Sequence, residues 1–272
     1  MNRALLKLKC HGGISLMETL IALFLTGLVI TTVFKVYVNQ HKNWAIQENV
    51  TDVQQNLRAA IDELSRQIRM AGHRLPLGLD GIAAYNADPD TIIVTYVGSN
   101  SSQAVLDSDM GGSGSDLDCN GSDLSGFEDG QLAYIFQPDS GGGEFFAVQS
   151  IDIGNSRISP TTNLTRAYPK DAVVLADLQR IKYYVDNSDT LHPNLMIILP
   201  GQTPAVYAEN IEDLQFRYRM KNGSIIDQPV IIDDIRAVSV GILARSNNPD
   251  PDITGDPYQR RFTSTTINLR NF

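Results

Sequence analysis

Between positions 14 and 34 the chain reads ISLMETLIALFLTGLVITTVF, an apolar run broken by one charged residue, Glu18. A helix needs about 20 mostly apolar residues, at 1.5 Å rise, to cross a hydrocarbon core about 30 Å thick. The run therefore predicts a membrane-spanning helix over 14–35. Beyond Phe34 the pattern becomes amphipathic. Val50, Val53, Leu57, Ile61, Leu64, Ile68 and Ala71 recur at spacings of three and four, which draws one apolar stripe along a helix. Asp52, Arg58, Asp62, Glu63 and Arg66 fall largely off that stripe. Gly72, Pro76, Gly78 and Gly81 end it. The amphipathic continuation is thus placed over 36–75, and a helix unbroken from Ile14 to Ala71 would be about 87 Å long. Few heptads are present, so the stripe suits packing on the protein's own sheet better than a coiled-coil seam.

Past residue 82 the signals change to those of strands. Thr91–Val97, Leu132–Phe136, 145–151, 172–185, 213–220, Ile235–Arg245 and 261–269 are rich in β-branched and aromatic residues. Asn187-Ser188-Asp189 and Lys221-Asn222-Gly223 are turn material. No helical pattern separates the strands, which favours antiparallel pairing. The expected fold is α+β: a long N-terminal helix packed on an antiparallel sheet, with residues 76–272 forming a β-rich extracytoplasmic domain.

Charge sharpens this picture. The chain holds 22 basic and 31 acidic residues, a formal net charge of −9, which argues against general nucleic-acid binding because phosphate contacts need clustered Lys and Arg. Yet residues 1–13 carry Arg3, Lys7 and Lys9 and no acid. A basic segment before an apolar run keeps the N-terminus in the cytoplasm and sends the rest across. Lys35-Val36-Tyr37-Val38-Asn39 follows the run without the small-residue pattern of a signal-peptidase site. A plain anchor leaves Glu18 unexplained, and a carboxylate at membrane depth is costly unless paired. In a third reading the leader is removed at Gly13–Ile14, and the new amino group of Ile14 would be a cation at membrane depth one helical turn from Glu18.

Gly12-Gly13-Ile14-Ser15-Leu16-Met17-Glu18, followed by the apolar helix, resembles the prepilin motif of type IV pilins and type II secretion pseudopilins. Ile14 stands where Phe is usual, Met17 where Ile or Val is usual, and Lys35 takes the place of the family's common proline. Residues 64–72 resemble the helix end of PilW-type minor pilins, and residues 206–216, 235–245 and 260–271 are similar to the C-terminal half of PilW-type minor pilins and the related J-type pseudopilins. Residues 98–170 carry no such likeness. The resemblance implies cleavage after Gly13 by a prepilin peptidase, N-methylation of Ile14, and an assembly role for Glu18, whose carboxylate would meet a neighbouring subunit's amino terminus. It implies major and minor pilins and an inner-membrane pilus assembly platform as partners. It also implies a bacterial inner-membrane location, with the C-terminal domain in the periplasm, before incorporation into a surface pilus. The expected function is that of a minor pilin. The alternatives are a J-type pseudopilin of type II secretion and a permanently anchored adhesin or receptor.

Catalytic motifs are lacking: no nucleophile elbow, P-loop, HExxH or CxxC pair occurs, so no enzyme and no catalytic residue is expected. One segment has metal-ligand spacing. Asp116, Asp118 and Asn120 precede Gly121 as in the first half of an EF-hand loop, and Ser122 would offer its carbonyl. Phe127 occupies the position of the bidentate acid, and Glu128 lies one residue late. The segment is read either as a relaxed calcium loop or as a solvated Gly/Ser/Asp loop. Asp250, Asp252 and Asp256, among prolines, read as a surface turn. Cys10 falls in the leader, which leaves Cys119 alone, either tolerated or paired with another chain.

Overall fold

A computed structural model of the chain describes residues 15–99, 101–139, 142–250 and 253–271. It opens on one helix, α1 (Leu16–Met70). Four threonines lie in its apolar half, and each hydroxyl donates to the carbonyl one turn back: Thr19 to Ser15, Thr26 to Ala22, Thr31 to Gly27 and Thr32 to Leu28. These bonds satisfy the four threonine donors within the helix, as a membrane-crossing helix would require. The helix stops where Gly72 takes a left-handed φ of +76° and its N–H turns to the carbonyl of Thr95.

The chain forms two compact units, one ending at Asn49 and one running from Val50 onward. The first is the apolar half of α1, with Leu16, Phe24 and Phe34 each exposed. The second holds the rest of α1 and three sheets in which every pairing is antiparallel. Its strands are β1 (Ile82–Tyr85), β2 (Thr91–Val97), β3 (Gln103–Val105), β4 (Leu117–Asp118), β5 (Leu132–Phe136), β6 (Gly143–Asp152), β7 (Arg157–Pro160), β8 (Val173–Leu175) and β9 (Leu178–Asp186). They continue with β10 (Asn194–Ile198), β11 (Ala205–Glu209), β12 (Ile211–Met220), β13 (Ile225–Ile226), β14 (Ile235–Arg245) and β15 (Arg260–Asn268). The sheet orders are β1-β2-β9-β10-β11, β13-β12-β14-β15 and β3-β8-β5-β6-β7-β4.

The α+β expectation holds, but with three sheets in place of one. The main core joins the buried stripe of α1, Val53, Leu57, Ala60, Leu64 and Ile68, to the inward residues of the first two sheets. Alternation does this work: in β14, Val238, Val240, Ile242 and Ala244 face inward while Ser239, Gly241 and Leu243 stay partly open. A second core lies inside the third sheet, around Leu117, Cys119, Ile135, Ile158 and Val174. The run 172–185 is broken at Ala176-Asp177, where Asp177 has φ +54°. β8 therefore pairs in the third sheet while β9 joins the first. Glu63 departs from its expected place off the stripe: it is buried, because polar partners meet it there.

Candidate functional site

At the N-terminal end, Gly13 and Ile14 lie outside the described residues. Glu18 sits in the first turn of α1, exposed, within a helix long and apolar enough to cross a membrane. Among the described residues there is thus one candidate anchor near the N-terminus, followed by a β-rich domain.

The candidate calcium segment folds as strand and turn. Gly121 takes φ +85°, as a tight turn there requires. The side chains engage separate partners. Ser159 donates to Asp116 Oδ1 at 2.7 Å, and Arg157 Nε donates to Asp118 Oδ1 at 2.6 Å. The β4–β7 register sets Asp118 directly opposite Arg157, the arrangement in which opposite charges stabilise an antiparallel pair. Asn120 donates to Asp107 Oδ2 at 3.3 Å, and Ser122 Oγ accepts the N–H of Val105 at 3.0 Å. The Glu128 N–H donates to the Gln131 side chain. Asp116 and Asp118 share the lining of an open polar depression of about 410 Å³ with Asp109 and Arg157. A hard cation there would meet an Asp118 carboxylate with one oxygen already held by Arg157. Among the described residues no three or more His, Cys, Asp or Glu side chains gather as a metal-binding group.

Cys119, within this segment, is fully buried and unpaired, and burial followed by the charge of Asp118 pushes its thiol up to about 12. A thiol held neutral and inaccessible is a poor nucleophile, so pairing with another chain is closed to it in the folded domain.

Two polar clusters went unread in the sequence. In the first, Glu63 Oε1 accepts from the Tyr183 hydroxyl at 2.8 Å and from Gln67 Nε2 at 2.9 Å, and Oε2 pairs with Arg66. Tyr96 donates to Gln67 Oε1 at 2.9 Å, so α1 is tied to β2 and β9. Burial pushes the Glu63 carboxyl up, but the donors Gln67, Tyr183 and Arg66 outweigh it and hold it below its ordinary range. Burial, then the bond to Glu63, pushes the Tyr183 phenol far above its own. Gln67 and Arg66 stand four and three residues from Glu63, a spacing that brings helix side chains together; Tyr183 is remote in sequence and carried no such signal.

The second cluster centres on Arg245, 5% exposed at the end of β14. Its guanidinium lies 3.5 Å from Glu212, stacks 4.4 Å from the ring centre of Tyr258, and donates to the Leu191 carbonyl. Arg260 grips the same Glu212 through Nε and Nη2 at 2.5 and 2.7 Å, and Asp256 at 2.7 Å. Asp256, expected only as a surface turn residue, thereby closes the loop before β15 onto the sheet. These clusters join elements of the fold. Compared with known proteins, the chain matches no family model, no curated protein and no solved structure.

Proposed function

We propose that the chain is a minor pilin, a structural subunit that a prepilin peptidase processes and that helps to assemble or prime a type IV pilus. The observation that carries this reading is one helix of 55 residues in which an exposed apolar half bearing Glu18 leads into a half that packs on a β domain. The basic leader and Gly13 immediately before it add to that support. In this reading the apolar half anchors the subunit in the bacterial inner membrane, with the β domain in the periplasm, until neighbouring pilins replace lipid around the helix. A J-type pseudopilin would use the same leader and helix, and the similarity of residues 206–216, 235–245 and 260–271 supports that second reading equally.

Mass spectrometry of the mature N-terminus tests the proposal. Co-expressed with a prepilin peptidase, the chain should lose residues 1–13 and gain a methyl group on Ile14, and Gly13→Val should block both changes. Intact Met1 in assembled material would overturn the reading and favour a permanently anchored adhesin.

A further inference from the structure

Among the described residues, the sheet edges differ sharply in length and regularity. β1, β3, β4 and β13 have two to four residues each, and β11 is joined to β10 through a register shift. Short or irregular edges resist further pairing. β15 is the exception: nine residues, paired with β14 without a shift, and bordered by no strand on its other side. It contains no proline and no bulge.

The hydrogen bonds at its two ends show which backbone groups are left open. Ser246 N–H bonds the Gln259 carbonyl, and Leu269 N–H bonds the Arg236 carbonyl. Both positions are odd-numbered, and an antiparallel strand turns successive residues alternately toward and away from its partner. The N–H and C=O groups of Phe262, Ser264, Thr266 and Asn268 therefore face away from β14. The side chains of these four residues are exposed, and the Phe262 ring, 67% exposed, leans over Gly241. Positions 257–271 hold no acid, and while Arg260 is held by Glu212 and Asp256, Arg261 and Arg270 also lie along this segment.

We propose that the open edge of β15 is a docking site for an extended, acid-bearing segment of another protein, which adds antiparallel as a further strand of the β13-β12-β14-β15 sheet. Main-chain bonds to the four open residues supply affinity, as in other strand additions. A carboxylate near Arg261 supplies direction and an apolar side chain beside Phe262 supplies contact area. A second copy of β15 is a poorer occupant because it brings no acid. Local charges govern the choice, since the overall charge of −9 is screened beyond about 8–10 Å in physiological salt. The inference does not depend on the pilin reading.

The test uses the full chain in detergent micelles and a labelled peptide, Thr-Val-Thr-Val-Thr-Val-Thr-Glu-Glu, whose acids meet Arg261 when it pairs antiparallel. Fluorescence anisotropy should show saturable binding, weaker for a twin ending in Lys-Lys. Amide hydrogen exchange should slow at residues 262, 264, 266 and 268 and not at 263 or 265. Ser264→Pro removes an open-edge donor that no fold bond uses, so it should keep the melting temperature and weaken binding about tenfold or more. Thr265→Pro, which removes a bond to β14, should instead unfold the sheet. Arg261→Glu leaves the backbone intact and should invert the peptide preference. No binding, equal affinity for Ser264→Pro, or an unchanged peptide preference in Arg261→Glu would overturn the proposal. So would open-edge amides already protected by self-association.

Discussion

Glu63 keeps its charge almost without water because donors converge on it from its own helix and from β9. A buried carboxylate is stable only with such partners, and its lowered pKa has a stability consequence of fixed sign. A carboxyl depressed on folding contributes above the ordinary carboxylate range and loses that contribution as pH falls through its folded value. Glu63→Gln should cost about 1–3 kcal/mol at neutral pH, the cost of weakening a buried hydrogen-bonded group. The gap between wild type and variant should close below the ordinary carboxylate range. Urea unfolding across a pH series measures it, and a pH-independent gap would mean that the charge itself stabilises nothing. Asp90 runs the other way: it is buried beneath β12 and accepts N–H bonds from Phe216 and Ala87, yet burial outweighs those bonds and raises its pKa. Only the wild-type-minus-variant difference therefore isolates Glu63.

At the scale of elements, the second half of α1 is held by burial rather than by helix propensity. Leu64 and Ile68 are fully buried against the first two sheets, whereas Asp62, on the same helix, is exposed. Leu64→Ala should destabilise the domain by about 2–5 kcal/mol through lost transfer energy and a residual cavity. Asp62→Ala should change stability by less than about 0.5 kcal/mol. Thermal unfolding of both variants decides this; equal effects would contradict a helix that bears on the sheets. The calcium reading also turns on elements. Spacing reads Asp116 and Asp118 as candidate joint ligands, and the pairing of β4 with β7 sets an arginine beside Asp118 and a hydroxyl beside Asp116.

For the whole molecule, Glu18 carries the test of assembly. In a bilayer a carboxylate near one face survives by snorkelling to the interface. Among packed helices it needs a cation, which in the pilin reading is the amino terminus of a neighbour. Glu18→Ala should leave insertion and leader removal intact and reduce co-purification of partner pilins from detergent. Undiminished partner recovery would shift recognition from the helix to the β domain, where the open edge of β15 is the surface to examine.

The sequence by itself determined the helix and several strands. β2, β5 and β14 coincide with their β-branched runs, and the turn at Lys221-Asn222-Gly223 forms as its glycine, at φ +85°, requires. Such features follow from periodicity and turn chemistry, which act over a few residues. Tertiary structure alone decided the division into three sheets, the break at Ala176-Asp177, and the short strands β3, β4 and β13, which hold too few residues to show a period. It alone chose Tyr183 for Glu63 and Arg157 for Asp118. A polar residue's pattern announces that it needs a partner. Which partner it finds depends on chain that is distant in sequence and brought close only by burying the apolar faces around it.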